Sequence, residues 1–367
     1  MVIFWSRDAE VLDTNGPAGL QCHQVTTVRR LIWRGDDTFQ LEEHSDHLGN
    51  PGPREVLLRV KAVGICGTDI HILDCALAAA KPPLVLGHEI AGEVLAVGER
   101  VQRVRQGDRV TVDSVVGCGH CEFCRRGSRQ FCAQGFEFGI TRNGGCQDLL
   151  EVPEDNVYPI PDCISDEEAA ILDMEVWAAV RKCGIHSGER VLILGCGPAG
   201  MVACQVARLL GAGRILLSVR AANRLAAAER LGLADRYLCS AQEDVVASVL
   251  LECGGTGADI VIDCAGTPTS ARDAFRAARP GGRVLLYGVY GSPLQDLDLN
   301  QVVLKDLVVF GALSDRVGWE EVIRLVASGS LNLKSLITHH FPLERAVEAY
   351  DLVRRRSDGV IKAVLVM

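Results

Sequence analysis

The stretch RVLILGCGPAG, residues 190–200, decides the fold. Five apolar-rich residues run into Gly195, and Gly195, Gly197 and Gly200 form a G-x-G-x-x-G pattern that opens onto the helical run GMVACQVARLLG, residues 200–211. The spacing alone is a weak signal; a buried strand before it and a helix after it make it specific. Glycine lets the backbone approach a pyrophosphate, and the helix N-terminus adds partial positive charge. With Pro198 and Ala199 between the second and third glycines, residues 195–200 predict a dinucleotide cradle.

Outward from that turn the pattern repeats. RILLSV (214–219), ADIVIDCAG (258–266), RVLLYGV (283–289) and LVVFGAL (307–313) read as apolar strands, with NRLAAAERLG (223–232) and ARDAFRAARPGG (271–282) as helical stretches between them. Such alternation implies a parallel sheet covered on both faces, a doubly wound α/β unit. The run SDEEAAILDMEVWAAVRKCG, residues 165–184, predicts a helix leading into it, opened by a Ser165–Glu168 capping box.

Before residue 165 the periodicity is shorter. EVLLRVKAVGI (55–65) and DRVTVDSVV (108–116) mix β-branched residues with partial alternation, so a β-rich domain with functional loops is expected. Residues 1–28 show no period and read as an extension. The expected organisation is residues 29–172 as a first domain and 173–311 as the nucleotide-binding domain. Residues 312–367 would return to the first domain, with the tail from His339 onward reading as a helix and a final strand.

The strand RILLSV raises a question. An acidic residue at its end would accept hydrogen bonds from the adenosine ribose and repel a 2′-phosphate. Val219 stands there instead, flanked by Ser218 and Arg220, with Arg224 further on. Valine does neither job, while arginine meets a dianion with charge and paired donors. The loss of the acid and the gain of arginine together favour NADP(H) over NAD(H).

Residues 118–132, CGHCEFCRRGSRQFC, set Cys118, Cys121, Cys124 and Cys132 in a compact polar loop. Four thiolates suit tetrahedral zinc, and a closed sulfur shell makes the site structural. An iron–sulfur cluster also uses closely spaced cysteines, but the charged interior of the loop lacks apolar shielding. Cys66 and His88, in CGTDIH (66–71) and LGHEIAGEVLAVGERV (86–101), offer one soft and one borderline ligand for a second, open zinc site.

At these residues the chain resembles the zinc-dependent medium-chain alcohol and polyol dehydrogenases, from about residue 29 to the C-terminus. The resemblance implies a GroES-like catalytic domain beside a Rossmann domain. It implies Cys66 and His88 as catalytic zinc ligands, Glu89 as a nearby carboxylate, and Asp69 as the group orienting His88. Thr68 and His71 match the family's relay, which carries the substrate proton to solvent. The third ligand falls on Asp173, with Glu175 the alternative; on one continuous helix the two stand about 200° apart and cannot both face one metal. A carboxylate there implies a polyol, sugar or cyclitol substrate first, and a threonine-type or simple secondary alcohol second. A catalytically inactive relative that keeps the fold is the contrasting class. Family members form homodimers or homotetramers.

Composition narrows the partners. A net charge of −9 argues against nucleic acid or an anionic membrane surface. No apolar run approaches the roughly 18 residues that span a bilayer. The N-terminal residues lack the basic start and apolar core of a secretory signal. Fifteen cysteines in so long a chain fit metal ligation and reduced thiols better than a disulfide scaffold, so the expected location is the cytoplasm.

Overall fold

The computed structural model describes residues 25–47, 50–172, 175–291, 293–313 and 318–367. The first ten strands are β1 (Val25–Gly35), β2 (Thr38–His47), β3 (Glu55–Gly64), β4 (Leu84–Val85), β5 (Glu89–Val97), β6 (Arg109–Val112), β7 (Val115–Val116), β8 (Phe136–Glu137), β9 (Leu149–Pro153) and β10 (Val157–Pro159). The next six are β11 (Arg190–Leu194), β12 (Arg214–Val219), β13 (Arg236–Cys239), β14 (Ala258–Asp263), β15 (Ala278–Leu286) and β16 (Val308–Gly311). Two more, β17 (Ile337–Pro342) and β18 (Lys362–Val366), close the chain.

The central strands β11–β16 form one parallel sheet in the order β13-β12-β11-β14-β15-β16. This is the doubly wound order, whose ligand crevice opens at the C-terminal ends of the strands where the order reverses, between β11 and β14. Val191, Leu192, Ile193 and Leu194 are all buried, as a strand covered on both faces requires. Gly195 follows with φ +100°, a conformation that favours glycine, and a Cβ there would lie 2.9 Å from the Ala265 side chain. Gly200 is as constrained, because its Cβ would fall 1.9 Å from the Gly195 carbonyl oxygen. Gly197 caps the helix Pro198–Leu209, with Pro198 in its first turn.

The β-rich domain is a seven-stranded sheet, ordered β10-β6-β5-β3-β18-β17 with β9 also on β3. A three-stranded sheet, β2-β1-β4, lies beside it. The first half of β3 alternates buried Val56, Leu58 and Val60 with more exposed residues, whereas Ala62, Val63 and Gly64 are buried in succession. One apolar core fills this domain, from Leu31 and Trp33 to Leu365. A second joins the parallel sheet to Ala62, Ala91, Tyr158 and Val364, so the two domains pack without a break.

Three expectations are corrected. Strand β1 starts at Val25 and buries Val28, so residues 25–28 belong to the sheet and not to an extension; residues 1–24 lie outside the described residues. The single helix expected over 165–184 is two short ones, Asp166–Ala170 and Val176–Lys182. The capping box forms as expected, with Glu168 N–H donating to Ser165 Oγ at 3.2 Å and Ser165 N–H to Glu168 Oε2 at 3.3 Å. The break follows where Ile171 and Leu172 turn fully inward, and a Cβ on Gly64 would come within 2.9 Å of Ile171 Cγ2. The tail from His339 holds the expected helix, Ala346–Arg355, and final strand β18, but also the end of a second strand, β17, which lies parallel to β18.

Candidate metal and nucleotide sites

Strand β3 ends at Gly64, and two residues later Cys66 caps the helix Gly67–Leu73. The Cys66 N–H donates to Asp69 Oδ2 at 2.8 Å, which satisfies a free helix-end donor and fixes the fully buried carboxylate. Its other oxygen, Oδ1, faces His88 Nδ1 at 3.4 Å, an ion-pair separation longer than a formed hydrogen bond. Burial opposes the charged imidazole, but Asp69 and Cys66 more than offset it and hold the His88 pKa above its ordinary value. Gly87, with φ +94°, makes the approach of this segment possible: a Cβ there would fall 2.7 Å from Val63 Cγ1 and 2.9 Å from Cys146 Sγ.

Glu89 begins β5 and is buried. Its Oε1 accepts from Lys362 Nζ at 2.6 Å, and each side chain is only 4% exposed. Burial lowers the ammonium's proton affinity, yet Glu89 beside it raises the Lys362 pKa above its usual value. The other oxygen, Oε2, is buried without a hydrogen-bond partner among the described residues. Gly64 leaves it room, since a Cβ there would stand 2.0 Å from Oε2.

Cys66, His88 and Glu89 bring a sulfur, a ring nitrogen and a carboxylate oxygen within 4.8 Å of one another. A soft, a borderline and a hard donor converging with a buried, unpartnered carboxylate oxygen match a zinc site. The Glu89 carboxylate thus lies close enough to Cys66 and His88 to share a metal with them. Asp173 lies outside the described residues. Glu175 sits at the N-cap of the second short helix, outside this donor group, so the angular argument from one continuous helix does not hold. Thr68 places Oγ1 3.8 Å from Cys66 Sγ, and His71, one turn on, is half-buried.

The four lobe cysteines also converge, with all sulfurs within 4.8 Å. Backbone N–H groups point at them: Cys118 at Cys132 Sγ (3.4 Å), Cys121 at Cys118 Sγ (3.4 Å) and Cys124 at Cys121 Sγ (3.5 Å). Such donors favour thiolates, and the Cys132 pKa is brought down to about 6 chiefly by the Cys118 N–H. These residues fit a closed zinc shell. Arg129 anchors the lobe, pairing with buried Asp113 and donating to Asn156 Oδ1 at 3.2 Å.

At the nucleotide end the arginines divide. Val219 is buried in the core, and Ser218, also buried, accepts at its carbonyl from Gly195 N–H at 3.1 Å. Arg220 is exposed, with no ion-pair partner among the described residues. Arg224, expected beside it at a phosphate, has another task. Its Nη1 donates to the Cys196 carbonyl at 3.1 Å and its Nη2 to the Val360 carbonyl at 3.0 Å. It thereby ties the glycine-rich turn to the C-terminal segment, a link no local pattern reveals.

Two regions match family models: an alcohol dehydrogenase GroES-like domain over residues 52–162 and a zinc-binding dehydrogenase domain over residues 198–328. An L-threonine 3-dehydrogenase of Pyrococcus abyssi is 36% identical over 323 residues, covering 86% of this chain and 92% of that one. The chain belongs to the zinc-dependent medium-chain dehydrogenase family. A Sinorhizobium meliloti structure assigned as a zinc-binding dehydrogenase, solved bound to NADP, superposes with a TM-score of 0.85 at 28% identity. The match covers 93% of this chain and all of that one (100%). Galactitol-1-phosphate dehydrogenase of Escherichia coli gives 0.84 at 25% identity, over 92% of this chain and 100% of its own. GroES-like and Rossmann domains are thus the fold of this dehydrogenase.

Lys362 escapes the sequence reading, although a lone lysine within VIKAVLV, residues 360–366, is the one charge in an otherwise apolar strand. Its removal leaves Glu89 charged and buried. Lys362→Met is therefore expected to lower the unfolding free energy by about 3–5 kcal/mol, and Glu89→Gln combined with it to recover part of that loss. Urea denaturation of both variants checks it.

Proposed function

We propose that this family member is a zinc-dependent dehydrogenase that moves a hydride between NADP(H) and a secondary alcohol or its carbonyl counterpart. The substrate class is a polyol, sugar or cyclitol. The observation that carries the reading is the convergence of Cys66, His88 and Glu89 at the helix bearing Thr68 and His71. A zinc ion held there supplies Lewis acidity toward the substrate oxygen. Asp69 holds the His88 ring in the orientation that leaves Nε2 for the metal. Asp173 is the family-matched candidate for a further ligand. Glu89, restrained by Lys362, offers Oε2 as the carboxylate donor. Thr68 Oγ1 accepts the substrate hydroxyl proton as it hands its own to His71, which passes it to solvent. Gly195, Gly197, Pro198, Ala199 and Gly200 seat the dinucleotide, and Ser218 borders the ribose.

The NADP preference now rests on Arg220, because the Arg224 guanidinium is held by two carbonyls. A threonine-type amino alcohol is the second reading, favoured by the Pyrococcus abyssi relative.

We also infer a homo-oligomer, for which the supporting feature is an edge. β16 ends the parallel sheet with Val308 51% and Val309 40% exposed. Val303 and Leu304 on the adjoining helix are 74% and 82% exposed. An unpaired apolar edge of this kind invites a second copy. Every described cysteine is a free thiol, which supports the cytoplasm as the location.

Three measurements bear on this. Metal analysis is expected to give about two zinc ions per chain, falling to about one in Cys118→Ser; a single zinc in the unaltered protein leaves only the structural site. Initial rates at equal cofactor concentrations are expected to favour NADP(H), and Arg220→Asp to shift preference toward NAD(H) by about tenfold or more. Light scattering on Leu304→Lys is expected to show a smaller assembly than the unaltered protein.

A further inference from the structure

Beside the glycine-rich turn, two loops that one buried carboxylate joins stand at the crevice. Asp263 ends β14, paired with Leu194 at the end of β11, and is fully buried. The loop it opens lies against the nucleotide cradle. Cys264 N–H donates to the Leu194 carbonyl at 2.9 Å, and a Cβ on Gly195 would stand 2.9 Å from Ala265 Cβ. The neighbouring strand β15 ends at Leu286, in register with Asp263, and turns through residues 287–291 at the same edge of the sheet.

Asp263 binds both loops. Its Oδ1 accepts from the Ala265 and Gly266 N–H groups at 2.9 and 3.2 Å. Its Oδ2 accepts from Ser270 Oγ at 2.9 Å, in the helix Pro268–Ala277. These donors lie within seven residues of Asp263 and settle the carboxylate locally. A further one comes from the other loop: Tyr290 O–H donates to Oδ2 at 2.6 Å, the short separation of a charge-assisted bond. The Asp263 carbonyl accepts from Tyr287 N–H at 3.0 Å and Gly288 N–H at 2.8 Å, so the turn after β15 is fastened at both ends. Gly288 lets the loops meet, since a Cβ there would fall 2.4 Å from the Gly266 nitrogen.

The Tyr290 bond is therefore not needed to hold Asp263; what it holds is the turn. Burial and the Asp263 charge keep the phenol well above its ordinary pKa, so it remains a donor throughout the neutral range. Topology decides which part of a dinucleotide this turn meets. In a doubly wound sheet the adenosine half lies over the first two strands, here β11 and β12, with Val219 and Arg220 at the ribose end. The nicotinamide half crosses the reversal of strand order to β14 and β15. At that end the turn carries Val289, an apolar side chain 65% exposed.

We propose that Tyr290 is a positioning residue for the nicotinamide half of the cofactor: latched to Asp263, it presets the turn after β15 on which that half docks. The proposal rests on the dehydrogenase reading above and adds a residue to it. A turn released from the latch must be ordered as the cofactor binds, which costs affinity. The adenosine half, seated on the other side of the reversal, does not draw on the latch.

The test is calorimetric binding of NADPH, and of 2′,5′-ADP as its adenosine half, to the zinc-loaded enzyme and to Tyr290→Phe, which keeps the ring and removes the donor. The variant is expected to bind NADPH about tenfold more weakly, the scale of one lost hydrogen bond to a charged group, and 2′,5′-ADP as before. Unchanged 2′,5′-ADP binding also shows that the variant is folded. NADH and AMP replace the pair if the unaltered enzyme prefers them. Equal dinucleotide affinity in the two proteins, or the same loss for dinucleotide and adenosine half, overturns the proposal and leaves the dehydrogenase reading standing. An unaltered enzyme that binds neither NADPH nor NADH overturns both.

Discussion

Lys362 Nζ sits 2.6 Å from Glu89 Oε1 with both side chains sealed from water, and the candidate catalytic centre is built around that pair. A lone carboxylate could not keep its charge at so buried a position; it would protonate or drag water in. The last strand of the chain prevents this by pairing with β3, the strand that ends just before Cys66. In the same register β3 pairs with β5, bringing Gly64 opposite Glu89. The missing side chain at Gly64 leaves space for Glu89 Oε2, and Ile171 covers the same spot. One ion pair, one glycine and one buried isoleucine therefore set where the third donor stands.

The C-terminal segment acts twice. Beyond supplying Lys362 it presents the Val360 carbonyl to Arg224, whose other hand holds the Cys196 carbonyl in the glycine-rich turn. The nucleotide cradle and the metal centre thus lean on residues two positions apart in the chain. This arrangement commits Arg224 to fastening the turn, while Arg220 stands exposed at the end of β12 without an ion-pair partner among the described residues.

The approach to His88 shows the same economy of backbone. Gly139, Gly144 and Gly87 pack so closely that a Cβ on Gly139 or Gly144 would collide with Gly87 main-chain atoms. That contact seats residues 139–146 against the segment ending at His88, with Gly145 N–H donating to the Gly87 carbonyl at 2.8 Å.

What the residues alone determined were features whose physics is local. A strand, three glycines and a helix define a cradle because the turn between them has one workable geometry, and the parallel sheet follows from the period of its neighbours. Four cysteines within fifteen positions must meet, and Cys66, Asp69 and Thr68 share one helical turn. What the tertiary structure alone decided depends on chain segments far apart in sequence. The Lys362–Glu89 pair, the Arg224 tether and the split helix ahead of the nucleotide domain each need a partner that no short-range pattern specifies. Local periodicity reports which face is apolar; only packing reports which distant backbone arrives to meet it, and buried charge goes where that partner stands.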